Sequence, residues 1–266
     1  MKTGRLLLCI LLAAMPVLAQ AQITVNDLDA DMAARVGVTV DKKIVRGVHL
    51  SLSGEGRLDD NFSSFGRFDT GLGLTYKLND NFKFGAGYIW IQRLSSSDVW
   101  KTRHRVYADA KYTLKSGYWN FSLKERLQLT HKDVNSYKHQ STPNSLELKS
   151  RVQAAYKGFV SLTPYCYLEL RNVFNDPACA ATWNSVSQTF TDYVFTGYTD
   201  AYINRLRGSI GAEWEINKHN SFDFYLLADY NYDKNVDTAQ SGTTLKSISY
   251  DRGFRASLCV SYQFSF

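Results

Sequence analysis

Alternation with a period of two, sustained over segment after segment, limits what this chain can fold into more than any other feature. Val48, Leu50, Leu52 and Leu58 share one face of a stretch whose other face carries His49, Ser51, Ser53, Glu55 and Arg57. Phe68, Leu72, Leu74, Tyr76 and Leu78 oppose Arg67, Asp69, Thr75 and Lys77. Val106, Ala108, Ala110, Tyr112 and Leu114 oppose Arg105, Tyr107, Asp109 and Lys111. Leu206, Ile210, Ala212, Trp214 and Ile216 oppose Arg205, Arg207, Ser209, Glu213 and Glu215. Successive side chains of a strand point to opposite faces, so this pattern predicts long β-strands with one apolar and one polar face.

The connections have a rhythm of their own. Short turns at Lys42-Lys43, 79–81, 115–117, Lys157-Gly158 and 217–220 alternate with longer polar loops near 59–65, 93–101, 131–145, 172–200 and 233–248. Eleven strands are expected, near 33–41, 46–58, 66–78, 82–93, 103–114, 119–130, 146–156, 159–171, 202–216, 221–232 and 250–266. The stretch QITVNDLDAD supplies a weak twelfth or lies in the lumen. Strands of about ten residues joined by short turns at one end and long loops at the other are the pattern of a transmembrane barrel. Lipid offers backbone groups no hydrogen bonds, so only a closed sheet can cross it. A soluble sandwich would alternate too. Two features favour lipid: the polar face is heavily charged, and aromatics crowd the apolar face beside the short turns. These are Tyr76, Phe82, Phe84, Tyr112, Trp119, Phe121, Tyr156, Trp214, Phe222 and Phe224, placed as an interfacial girdle would be. The expected fold is all-β: a single antiparallel transmembrane β-barrel of about twelve strands, with ten as the smaller alternative.

The N-terminus fits that destination. Lys2 and Arg5 precede an apolar run from Leu6 to Leu18 and a small-x-small site at Ala19-Gln20-Ala21, the form of a secretory signal peptide. Residues 1–21 are read as signal and 22–266 as one barrel domain. Cys9 lies inside the apolar run, which disfavours a lipoprotein. Without Lys2 and Arg5 the basic count is 31 − 2 = 29 against 25 acids, a net +4 with no basic run, which is no nucleic-acid footprint. Cys166, Cys179 and Cys259 are odd in number and widely spread, so neither a disulfide framework nor a metal site follows, and no cofactor is expected.

The closing residues RASLCVSYQFSF alternate to the end. Val260, Tyr262, Phe264 and Phe266 resemble the C-terminal signature of bacterial outer-membrane proteins. That resemblance implies a last strand read by the barrel-assembly machinery, outer-membrane lipid as surroundings, and a Gram-negative host. Most of the chain also resembles an uncharacterised family of small outer-membrane barrels, domain of unknown function 2490. The likeness rests on VTVDKKI and RGVHLSLSGEGRLDDN, LTYKLNDNFKFGAGYIW, RHRVYADAKY, SLKERLQLTH, TPYCYLELRNVFN and RLRGSIGAEWEI. It implies fold and location and assigns no reaction.

Chemistry concentrates on the polar face. Arg57, Arg67, Arg93, Arg105, Arg126, Arg151, Arg171, Arg205 and Arg207 each fall in the half of a strand next to a long loop, with Glu55, Asp69, Asp109, Glu169 and Asp229 on the same face. Such groups interlock as a salt-bridged filling, or form a basic constriction that holds a small anionic solute. Tyr107, Tyr165, Tyr167 and Tyr225 join them as lumen filling or as stacking surfaces. The expected function is a porin-like channel, narrow or plugged, and not an enzyme. The alternative is a lipid-modifying or hydrolytic enzyme at the outer interface, for which His104, facing outward near Ser95, Ser96 and Ser97, and His131, expected in a polar loop, are the best candidates. Glu125 breaks the pattern by falling on the apolar face of SLKERLQL, which calls for a bulge or a neighbouring Arg. The segment 172–200, rich in aromatics, is a lid, a partner site or extended strand ends.

Overall fold

The computed structural model describes residues 24–95, 98–132 and 137–266. The signal segment 1–21, with Ser96 and Ser97, lies outside the described residues. Twelve strands form one sheet: β1 (Thr24–Asp27), β2 (Asp31–Val45), β3 (Val48–Asp59), β4 (Ser64–Lys77), β5 (Phe82–Leu94), β6 (Trp100–Ser116), β7 (Trp119–Lys132), β8 (Asn144–Tyr156), β9 (Leu162–Asn184), β10 (Thr189–Asn217), β11 (Asn220–Thr238) and β12 (Leu245–Ser265). From β2 to β12 each strand pairs with the next, and β12 returns to pair with β2, which closes the barrel.

The closure has a geometry that counting strands does not show. The ring holds eleven staves, β2 to β12. An up-and-down meander reverses direction at every turn, so the first and last of an odd number run the same way, and β12 meets β2 in parallel from Arg255↔Asp31 to Ser265↔Asp41. The twelfth strand, β1, adds no stave. It continues β2 along the same edge of β12, from Thr24↔Ser249 to Asp27↔Arg252. Phe266 pins the seam: its N–H donates to the Asp41 carbonyl at 3.0 Å, and the Lys43 N–H donates to its carbonyl at 2.9 Å.

The barrel is apolar outside and polar inside. Val36, Leu72, Leu168 and Ile210 are each more than half exposed on the outer wall. Gln128, Glu169, Asp229 and Ser257 are buried at its centre. Water would not tolerate so continuous an apolar surface; the hydrocarbon of a bilayer requires it. The aromatic girdle is in place beside the short turns, with ring centroids 4.9 Å apart for Phe82 and Tyr112, 5.1 Å for Trp119 and Tyr156, and 5.1 Å for Phe222 and Tyr262. This is a transmembrane barrel.

Residues 172–200 are not a loop. They extend β9 and β10 into a long hairpin around a turn at 185–188, and β11 and β12 lengthen in the same direction. Past Val173 and Arg205 the hairpin parts from β8 and β11. Its tip, through Phe190, Trp183, Tyr193 and Cys179, packs on Val236, Leu245 and Ile248 of the lengthened β11–β12. The β7–β8 connection docks beside this arm, where the His139 ring stacks on Phe195 at 3.9 Å and its Nδ1 lies 3.2 Å from the Gly242 carbonyl.

Candidate functional site in the barrel lumen

Alternation sends every second residue inward, so each strand delivers its polar set to one cavity of about 430 Å³. Eight cations line it (Arg35, Arg57, Arg105, Lys124, Arg126, Lys149, Arg151 and Arg207), with the carboxylates Glu55, Asp69, Glu169 and Asp223. Six of the eight are ion-paired. Arg57 meets Glu55 at 2.6 Å and Asp69 at 3.2 Å. Arg126 and Lys124 share Asp109, at 2.6 and 3.3 Å. Arg151 meets Glu169 at 2.6 Å. Arg207 and Arg35 share the buried Asp229, at 2.6 and 3.3 Å.

The remaining two differ. Among the described residues no carboxylate lies within 4.0 Å of Arg105 or Lys149. The Arg105 Nε donates to the Thr130 hydroxyl at 2.9 Å and to no acid. Both line the cavity, Arg105 from β6 and Lys149 from β8, on either side of β7. Asp223, the one lining acid without a cation, accepts the Tyr165 hydroxyl at 2.8 Å.

The tyrosines serve the wall. Arg126 lies over the Tyr107 ring and Arg151 over Tyr167, each at 4.0 Å. Tyr165 and Tyr167 stack with centroids 6.4 Å apart. Tyr107 crosses the β4–β5 wall where Gly87 faces it. A Cβ on Gly87 would sit 2.5 Å from the Leu72 carbonyl and 2.6 Å from the Tyr107 hydroxyl, so only glycine fits.

All nine arginines singled out from the sequence fall on the lumen side of their strands, in different settings. Arg67 makes a two-pronged bond to Asp69, both arms 2.7 Å. Arg171 and Arg205 bond Asn204 and Asn231, each at 2.6 Å. Arg93 is exposed at the long-loop mouth, across from Arg67. Sequence reasoning passed over Arg35, Lys124, Lys149, Glu147 and Gln128, although the same parity marks all five. Lys124 and Lys149 are two residues from Arg126 and Arg151 on the same face.

The two outer-face histidines stand side by side in the sheet. His131 lies in β7 rather than in a loop and is the direct cross-strand neighbour of His104. The His104 Nδ1 is 2.6 Å from the Tyr88 hydroxyl, and the His131 Nδ1 donates to Asn144 at 2.8 Å. Neither bonds a serine or a carboxylate among the described residues. Glu125 does face outward. No register shift turns it inward and no arginine meets it; its partner is Ser150, whose hydroxyl donates to it at 2.6 Å.

Comparison with solved structures finds the NanC porin in a rhombohedral crystal form, at 13% identity with a TM-score of 0.43, covering 89% of this chain and 99% of that one. No curated protein matches. A family described as a protein of unknown function (DUF2490) matches residues 36–240, from β2 to just beyond β11, and the chain belongs to that family.

Proposed function

We propose that this barrel lies in the outer membrane of a Gram-negative bacterium, exported through a cleaved signal peptide, and that its lumen is a narrow basic filter for small anionic solutes. Arg105 and Lys149 carry the reading. They line the cavity without a carboxylate within 4.0 Å, while the cations around them are neutralised by Glu55, Asp69, Asp109, Glu169 and Asp229. A fixed positive site in a low-dielectric channel attracts anions and repels cations. Arg57, Arg67, Arg126, Arg151, Arg171 and Arg207 act mainly as wall, Arg93 and Arg205 as the approach. During biogenesis Val260, Tyr262, Phe264 and Phe266 are offered to the barrel-assembly machinery; in the finished barrel the partners are outer-membrane lipid and the solute.

The test is single-channel conductance of the refolded mature chain in a planar bilayer under a salt gradient. Steady openings with a reversal potential on the anion side are expected. Arg105→Ala and Lys149→Ala should each move that potential toward zero, and Arg126→Ala should move it less, because Asp109 already balances its charge. A folded barrel that never conducts would show that the ion pairs plug the lumen.

A further inference from the structure

Among the described residues, Glu125 of β7 is the one acidic or basic side chain on the outer wall between its two polar edges. It stands six residues from Trp119 in the girdle beside the short turns and six from His131 at the opposite edge. With a rise of about 3.3 Å per residue and a tilt of about 40°, either edge is roughly 15 Å away along the membrane normal. Its cross-strand neighbour on β8, Ser150, donates to the Glu125 Oε2 at 2.6 Å. On the β6 side Glu125 faces Ala110, which offers nothing. Above and below are exposed Leu123, Leu127 and Val152.

A carboxyl aimed at acyl chains is costly, and intramembrane ionisable groups mark functional contacts. Ser150 uses one of its two oxygens. The depth identifies what can use the rest. Lipid headgroups lie far from the midplane and acyl chains donate no hydrogen bond, so the occupant is protein. The pair is its own complement. A two-fold axis along the membrane normal between β7 and β8 brings each copy's Glu125 opposite the other's Ser150, the isologous arrangement of a symmetric dimer. On the β6 side the wall is low at Ala110 and Ala108, with Ala86 across from Ala108 and the exposed Phe84 across from Ala110. We propose that the β6–β8 face is the contact between two copies of this chain in the membrane, with the Glu125 carboxyl of each copy donating to the Ser150 oxygen of the other at its centre, while each Ser150 hydroxyl keeps its bond to its own Glu125.

The test is sedimentation of the full mature chain, refolded and placed in lipid nanodiscs sized for two barrels, across a dilution series. Folding of each variant is checked by its heat-modifiable mobility on a gel. The wild type should be dimeric. Glu125→Leu should raise the dissociation constant by about tenfold or more, the loss of two intramembrane hydrogen bonds. Glu125→Gln, which still donates and accepts, should keep the dimer. Should Glu125→Leu not fold, Ser150→Ala, an outer-wall change of small volume, carries the test with a few-fold weakening. A wild type that is monomeric at every dilution overturns the proposal and leaves a different protein as the partner of this face. Folded Glu125→Leu or Ser150→Ala variants that dimerise as tightly as wild type overturn it as well.

Discussion

β11 obeys two opposite rules along one unbroken strand. In its lower part the even residues Phe224, Leu226, Ala228 and Tyr230 are exposed, while the odd residues Leu227 and Asp229 are buried. Higher up the even residues Val236 and Thr238 are buried, and the odd residues Asp233 and Asn235 are exposed. The alternation has not slipped; the surroundings have changed. Within the membrane the apolar face meets lipid and the polar face makes the core. In the arm above it, the apolar face is covered by the β9–β10 hairpin and the polar face meets water. Alternation supplies two faces, and the medium decides which is interior.

Each interior fails in its own terms. Asp229→Ala should cost about 3–5 kcal/mol, because Arg207 and Arg35 would remain buried around a missing carboxylate. Urea unfolding followed by the gel shift of the folded barrel would read it. Phe190→Ala in the arm should cost about 3–5 kcal/mol through a cavity. That loss should appear as faster hydrogen exchange in the arm alone, with the barrel mobility unchanged. If Phe190→Ala opened the barrel too, the two regions would be one cooperative unit.

The barrel was legible in the sequence because one rule, period two, served all eleven staves. The ion pairs followed from the same parity, since Arg57, Arg126, Arg151 and Arg207 fell on the face that holds their acids. The arm was not legible. The segment 172–200 contains Asn172, Asn175, Asp176, Pro177 and Gly197, residues that punctuate loops, and its pairing with β10 shifts register five times. Bulges of that number erase the alternation a reader relies on. Closure by parallel pairing was also hidden, because it turns on β1 adding no stave, and both β1 and β2 take their places beside β12 through contacts more than two hundred positions away. Glu125 was visible as an exception, but its partner Ser150 was a matter of register across a loop.

A smaller perturbation sharpens the same contrast by placing one charge at two heights of β11. Leu226→Arg puts a guanidinium on the lipid face between Leu258 and Ile210 and should cost about 2–4 kcal/mol. Asn235→Arg puts it on the exposed face of the arm and should change stability by less than about 0.5 kcal/mol. Equilibrium unfolding in lipid vesicles compares them directly. Equal costs would mean that the bilayer does not end between these positions.

The smallest expected effect is a titration confined to the arm. Asp176 lies beyond Val173, outside the membrane-spanning part of β9. It accepts the Tyr202 hydroxyl at 3.3 Å, and the Tyr202 oxygen accepts the Lys234 N–H at 3.1 Å. Burial pushes the Asp176 carboxyl up to about 6 from its ordinary 3.8, against the opposing pull of Lys234 and Tyr202. An undocked arm takes up this proton near 3.8 and the docked arm near 6, so between those values the docked arm holds more protons. Its stability therefore falls as pH rises through that window and is level above it. Hydrogen exchange of arm amides, corrected for intrinsic rates, should be slower at pH 5 than at pH 7. Asp176→Asn, which keeps the shape and removes the titration, should abolish the difference. A response in the arm alone would show that two heights of the same strands open independently. The same response in barrel amides would show that the arm cannot undock without loosening the wall beneath it.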